Sequence, residues 1–382
     1  CFPASGAGTC LTRPRGATRR ELVVVQQSRD FMKQLIETPS VSGFEEPAQR
    51  VVARYAHEFG ASVQADVSGN VLASIPGGNQ PRVMLTGHVD QVGLMVRHIN
   101  DEGFIFTTTV GGAIVQYAQR VAIHTRNGPV LGVVGKKPRQ HMKPDEYDKP
   151  TPVHEYWIDI GATSAAQARE TVSIGDPVTW HGPVEWLSDD LVCGCGIDDK
   201  IGVFIAIEAL RRLKADGFGG PAAVSALSAV QEEVGCRGAG PAAFWAEPDA
   251  AIAVDVWPMV TDVPDTDKRL YGEMKLGAGP ILIRGANIST VLFDLLVATA
   301  EEESIPIQFC GWPGPTPTDA SSIYTARGGI ATALIGLPQR YLHTPSEVVH
   351  MRDVEQIIEL LVGVCRRMTP EVDFTRRTRL VG

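Results

Sequence analysis

From Glu21 onward, ELVVVQQSRDFMKQLIETPSVSG places apolar positions at helical spacing and stops in a Pro/Ser/Gly turn, which predicts an amphipathic helix. A second helix, EEPAQRVVARYAHEFG, is closed by Gly60. The period then shortens. ASVQADVSGNVLASIPG and PRVMLTGHVD are short apolar runs broken by Gly-Asn and Gly-Gly turns, so strands of a sheet are expected. From about Gly93 to Thr179, β-type runs such as FIFTTTV, QRVAIHT, GPVLGVVG, YWIDIG and DPVTW follow one another with little helical periodicity, predicting an all-β insert. After GCGIDDK the two periods alternate. A long apolar helix at 201–214 precedes a strand at 222–230, a helix near GPAAFWAEP, the strand AAIAVDV and a helix at 288–303. A short helix at DASSIYTAR, the strand GGIATALIGL and the helix MRDVEQIIELLVGVCRRM close the pattern. Such alternation predicts an α/β fold: a largely parallel sheet sandwiched by helices, interrupted by an inserted all-β domain. The expected boundaries are a disordered leader or fragment at 1–20, the α/β domain at 21–92 and 186–370, the β-rich insert at 93–185, and a tail at 371–382.

Composition agrees with this picture and removes some functions. A chain of 382 residues, 44% hydrophobic and 21% charged, can bury a large core and divides into about two domains. The net charge of -9 argues against a nucleic-acid partner, which would ask for a basic face. No apolar run approaches the roughly 20 residues of a membrane span, and no charged-then-apolar secretory pattern opens the chain, so a cytoplasmic protein with no membrane partner is expected. Seven cysteines without a CxxC pair suit reduced thiols, and Cys193 and Cys195 form only a weak CxC.

Ligands of open α/β sheets gather beyond the carboxyl ends of the strands. His88 and Asp90 follow PRVMLTG, Glu232 and Glu233 follow AVSALSAV, Asp255 ends AAIAV, and His343 closes the stretch from TALIGL through PQRYLH. Asp198 and Asp199 precede a buried helix. Taken singly, these residues have ordinary explanations, such as a helix cap for the aspartates or an exposed turn for the glutamates. Together they put several carboxylates and two imidazoles on one rim, where like charges oppose one another and divalent cations would remove the conflict. Imidazole with carboxylate, and no thiolate pattern, suits Zn, Co or Mn. About five protein groups with one shared carboxylate would hold two ions roughly 3.5 to 4 Å apart. Asp90 is placed to orient the His88 ring from behind. Of the adjacent glutamates, Glu233 is assigned to metal and Glu232 to proton transfer, because a base must not be tied up as a ligand.

In this order, LTGHVDQVGLMV, GIDDKIG, QEEVGCRGAG, AVDV, KLGAGP, PTDASSI and RYLHTPSEVV resemble the motifs of the tetrahedral (TET) aminopeptidase family, which includes glutamyl and deblocking aminopeptidases and members once labelled cellulase M. The resemblance covers roughly residues 24 to 370, including the insert. It implies a zinc-peptidase-like catalytic domain hydrolysing the amino-terminal peptide bond, with two divalent ions, Zn or Co before Mn. It also implies that His88 and His343 bind one ion each, Asp198 bridges, Glu233 and Asp255 complete one ligand each, and Glu232 is the general base. A cis peptide between Asp198 and Asp199, peptide substrates, and dimers joined through the insert into a dodecamer belong to the same implication. Two stretches depart from the family: DVWPM sets Trp257 near the site, and GWPGPTPTDASS retains Asp319, which is expected, like Asp199, to meet the substrate or support the site.

Three other functions use parts of the same set. A metal-dependent deacylase would share the ligands, a glycosidase needs two carboxylates about 5 to 10 Å apart and no histidine ligand, and a metal-stabilised assembly would not need Glu232. No charge in the motifs selects an acidic, basic or aliphatic amino-terminal residue.

Overall fold

The computed structural model describes residues 19–144 and 149–375, with side chains from Gln26. The expected leader, apart from its last two residues, and the tail beyond Thr375 lie outside the described residues. The first part of the chain forms α1 (Arg19–Glu37), α2 (Glu46–Glu58), β1 (Ser62–Ala65), β2 (Val71–Ser74) and β3 (Arg82–His88). Next come β4 (Gly93–Ile99), β5 (Ile105–Val110), β6 (Arg120–Thr125), β7 (Gly128–Gly135), β8 (Trp157–Asp159), the short α3 (Ala165–Arg169) and β9 (Pro177–Trp180). The remainder runs β10 (Glu185–Trp186), β11 (Leu191–Gly194), α4 (Ile197–Ala215), β12 (Ala223–Ala229), α5 (Ala239–Ala246), β13 (Ala250–Trp257), α6 (Lys268–Tyr271) and β14 (Ile281–Gly285). It ends with α7 (Thr290–Glu302), β15 (Gln308–Trp312), α8 (Asp319–Tyr324), β16 (Ala331–Arg340), β17 (Glu347–His350) and α9 (Met351–Arg367).

The fold is mixed α/β. At the centre of the large sheet β12, β3, β13 and β16 lie side by side and parallel, flanked by antiparallel strands on both sides. β13, AAIAVDVW, is buried along its whole length, as a parallel strand covered on both faces must be. Alternate side chains divide between the layers. Val83 and Leu85 of β3 pack with Leu35, Ile205 and Ile358 from α1, α4 and α9, whereas Met84 packs with Ala242 and Ile323 from α5 and α8. The helix α4 is apolar on nearly all sides because it lies between the sheet, α1 and α9.

The strands β4, β5, β8, β7, β6 and β9 close into a barrel with its own core, which includes Val96, Ile105, Ile123, Ile158 and Trp180. Several features differ from the sequence reading: α1 starts at Arg19 rather than Glu21, the insert expected to be all-β carries the short helix α3, α6 was not expected, and β10, β11, β14, β15 and β17 extend the sheet where no strands were expected. For the site, the register matters most. Ala229 at the end of β12 stands opposite His88 at the end of β3, so both strands deliver their following residues to one edge.

Candidate metal centre

The convergence begins with backbone. His88 ends β3, Asp255 lies near the end of β13, and Glu232 and Glu233 occupy the turn after β12. Asp198 and Asp199 interrupt the first turn of α4 with non-helical backbone and are joined by a cis peptide. His343 reaches the group from the loop between β16 and β17, in the left-handed conformation at φ 59°.

The side chains form two trios whose ligand atoms lie within 4.8 Å of one another: His88, Asp199 and Asp255, and Asp198, Glu233 and His343. Asp198 joins them. Its Oδ1 lies 3.3 Å from His88 Nε2, and its Oδ2 lies 3.3 Å from His343 Nε2. Asp255 Oδ1 is 3.8 Å from His88 Nε2, while Glu233 Oε2 is 3.3 Å from His343 Nε2. Asp199 is otherwise engaged: it accepts the amides of His88 at Oδ2 and Gly202 at Oδ1, both at 3.2 Å. Any side chain at Gly202 would strike that carboxylate, since a Cβ there would lie 2.3 Å from Asp199 Oδ2.

Asp90 is fully buried and does more than sit behind a ring. Its oxygens accept Ser42 Oγ at 2.7 Å and the amides of Glu232 and Glu233 at 3.0 and 3.1 Å, which pins the turn carrying both glutamates. His88 Nδ1 lies 3.0 Å from the Asp90 carbonyl and 3.5 Å from its Oδ1. A proton on Nδ1 therefore leaves the Nε2 lone pair facing Asp198. Glu232 Oε2 is 3.8 Å from His88 Nε2, its Oε1 accepts the Cys236 thiol at 3.2 Å, and it belongs to neither trio.

Glu347 was assigned no role from the sequence, yet it is 1% exposed and holds both ends of the site. Its Oε2 accepts the Asp198 amide at 3.1 Å and its Oε1 the His343 amide at 3.0 Å. The only sequence signal was a glutamate four residues after His343. Asp319, by contrast, is buried with neither carboxylate oxygen hydrogen-bonded, and burial followed by the Glu232 charge pushes its pKa well above the usual range.

The electrostatics ask for positive charge. Burial, then Asp199, raises Asp255 well above the ordinary carboxylate value; burial, then Asp198, raises Glu233 to about 7. Burial works against charge on Asp198 too, but contact with His343 and His88 brings it down to about 2. Burial and then the Asp198 contact act oppositely on His343, which rises to about 10. Carboxylates that resist ionisation side by side, imidazoles drawn toward charge, and a buried Glu233 Oε1 with no hydrogen-bond partner fit divalent cations. All five residues expected from the sequence to be ligands lie in these two trios.

The centre floors a cavity of about 460 Å3. Trp257, at the end of β13, lines it and meets Trp312 edge to face, ring centroids 5.5 Å apart. A larger hollow of about 590 Å3 beside α7 and β15 contains Arg284, Asp294 and Glu301 but no imidazole, so chemistry rather than size distinguishes the two.

Residues 69–360 match the model of the M42 glutamyl aminopeptidase family. The chain is 33% identical over 354 residues to the lysyl aminopeptidase of Pyrococcus furiosus, covering 91% of this chain and 99% of that one. It superimposes with a TM-score of 0.87 on a TET aminopeptidase from a marine sediment Thaumarchaeota archaeon, at 32% identity and over 91% of this chain and 98% of that one. The TET1 peptidase of Pyrococcus horikoshii, which assembles into a tetrahedron or a large octahedral shell, aligns with a TM-score of 0.77 at 29% identity, over 88% of this chain and 98% of that one. The chain belongs to the M42 glutamyl aminopeptidase family.

Proposed function

We propose that this peptidase removes single residues from the amino terminus of peptides, using two divalent cations held by His88, Asp198, Glu233, Asp255 and His343, with Glu232 as the base. The observation that carries the reading is the placement of Asp198, each of whose oxygens faces a different imidazole at 3.3 Å, beside a glutamate left outside both trios. His88 and Asp255 serve one ion, His343 and Glu233 the other, and Asp198 is shared. Zn or Co suits the mixed imidazole and carboxylate set, with Mn as the third choice. When bound, the ions supply Lewis-acid polarisation of the peptide carbonyl and acidify water.

Glu232 takes the proton of the attacking water at Oε2 and passes it to the departing amine. Asp90 holds Glu232 by its amide, and the Cys236 thiol holds Oε1, so Oε2 is the oxygen turned toward His88 and the cavity. Glu347 fixes the backbones of Asp198 and His343 at a constant separation. The wall formed by Trp257 and its neighbours keeps bulk water from the reacting bond.

The test uses unblocked and amino-blocked peptides. Chelation should abolish release of amino-terminal residues, and Zn, Co or Mn should restore it. Glu232→Gln should lower kcat by roughly 10^2 to 10^4-fold while metal content, measured by elemental analysis, stays at the wild-type value. Equal turnover by the variant, or turnover of blocked peptides only, would refute the assignment.

Assembly completes the proposal: dimers joined through the barrel build a tetrahedral dodecamer. The likeness to the Pyrococcus horikoshii protein supports this. A cytoplasmic location is supported by the free thiols of Cys193, Cys195, Cys236, Cys310 and Cys365 among the described residues. Among the described residues no helix is long and apolar enough to cross a membrane.

A further inference from the structure

The cavity over the centre has two unlike ends. One is the cluster of carboxylates and imidazoles; the other is mainly apolar, with Trp257, Pro258, Met259, Trp312, Pro317 and Leu342, and Thr318 and Cys236 also line the cavity. Among the described residues, no lysine or arginine lines it, and no acid outside the cluster does. Arg340 and Asp262, which lie close in sequence to these wall residues, are bonded to each other. Trp257 is 3% exposed and braced edge to face by Trp312, so the wall is formed before any ligand arrives.

The strand geometry connects the two ends. Asp255 and Trp257 are two residues apart on β13, so their side chains leave the same face of the sheet, ~7 Å apart along the strand. A substrate whose first peptide bond lay at the cluster, beside Asp255, could turn its first side chain along β13 onto the indole.

We propose that this wall is the subsite for the amino-terminal side chain and that it selects a long apolar residue, aliphatic or aromatic, over lysine or glutamate. The proposal rests on the aminopeptidase reading above. A lysine or glutamate side chain placed there would lose its water and find no partner, whereas leucine, methionine or phenylalanine would exchange water for indole, thioether and proline surface. Such a preference would differ from the one in the name of the lysyl relative, and Trp257, Pro258 and Met259, which contribute to it here, come from the stretch VWPM that follows Asp255.

Two measurements test this separately from the chemistry. Cation-loaded wild type is given Leu-Ala-Ala, Phe-Ala-Ala, Lys-Ala-Ala and Glu-Ala-Ala. The expected kcat/KM for the first two exceeds that for the last two by about 100-fold. The same peptides are titrated calorimetrically into the Glu232→Gln variant, where the leucine and phenylalanine peptides should bind and the charged ones should bind at least about 10-fold more weakly. Met259 is only partly buried, so Met259→Arg is a mild change for the fold. It should shift the Leu-to-Glu ratio of kcat/KM at least about 10-fold toward glutamate. Equal or better handling of the lysine or glutamate peptide in either assay overturns the apolar subsite and leaves the aminopeptidase intact. Turnover of no peptide by wild type sinks the aminopeptidase reading instead, while selective binding to the variant would still support the subsite.

Discussion

A Cβ added to Gly112 would lie 2.5 Å from His343 Nδ1, and the amide of Ile114 donates to the His343 carbonyl at 3.3 Å. The loop leaving β5 thus presses directly on a proposed ligand. Gly112→Ala should displace the ring and weaken cation binding about 10-fold or more. A competition titration against a chelator would show it, with an unchanged circular-dichroism spectrum ruling out misfolding; unaltered affinity would mean that the ring moves freely. His88, Glu232, Glu233 and Asp255 were legible because each follows or interrupts an apolar run at or just beyond a strand end, and Asp198 because it stands with Asp199 before a buried apolar helix. Glu347, Ser42 and Gly112 were not, since what they do depends on neighbours distant in sequence: Ser42 meets Asp90 only after α2 and the sheet have packed. Asp90 was legible as a partner for His88, but its hold on the Glu232 and Glu233 amides needed coordinates.

The helices and central strands were read from periodicity because burial acts on whole faces, as in β13, buried from end to end. β14 and β15 escaped because each has only five residues and stands among glycines and prolines that read as turns. Where barrel and α/β layers meet, His124 on β6 stacks on Phe44, ring centroids 5.8 Å apart, and its Nε2 lies 2.8 Å from Thr179 Oγ1 on β9. Burial, aided by Lys200, depresses the His124 pKa to about 4. In the unfolded chain the same group titrates near about 6.5. As pH falls from 6.5 toward 4 the unfolded state takes up a proton that the folded state refuses, so stability is lost in that window and is unaffected by this group above it. Scanning calorimetry should therefore find a smaller drop in melting temperature between pH 7 and 5 for His124→Gln than for wild type. An equal drop in both would assign the acid sensitivity elsewhere.

At the scale of the whole molecule, the proposed shell is tested by sedimentation velocity at micromolar protein. A single boundary at the size of twelve chains is expected, and a monomer, a free dimer or a larger shell would each contradict the tetrahedral assembly. The sequence showed that two kinds of text alternate along the chain. It could not show closure of the barrel, which depends on β4 meeting β9 across the whole segment. The order of the parts along the chain has a further consequence. His88 precedes the barrel, whereas Asp198, Glu233 and Asp255 follow it and His343 comes close to the carboxyl end. During synthesis, then, the barrel, whose strands all lie between Gly93 and Trp180, can form while the large sheet still awaits β12 and β13. A chain that stops between Asp255 and His343 carries all the proposed carboxylates but one of the two site imidazoles, and a chain that stops between His88 and Asp255 lacks carboxylates as well. On the proposed ligand set, a chain still lacking His343 would hold no complete pair of cations and would cleave no peptide.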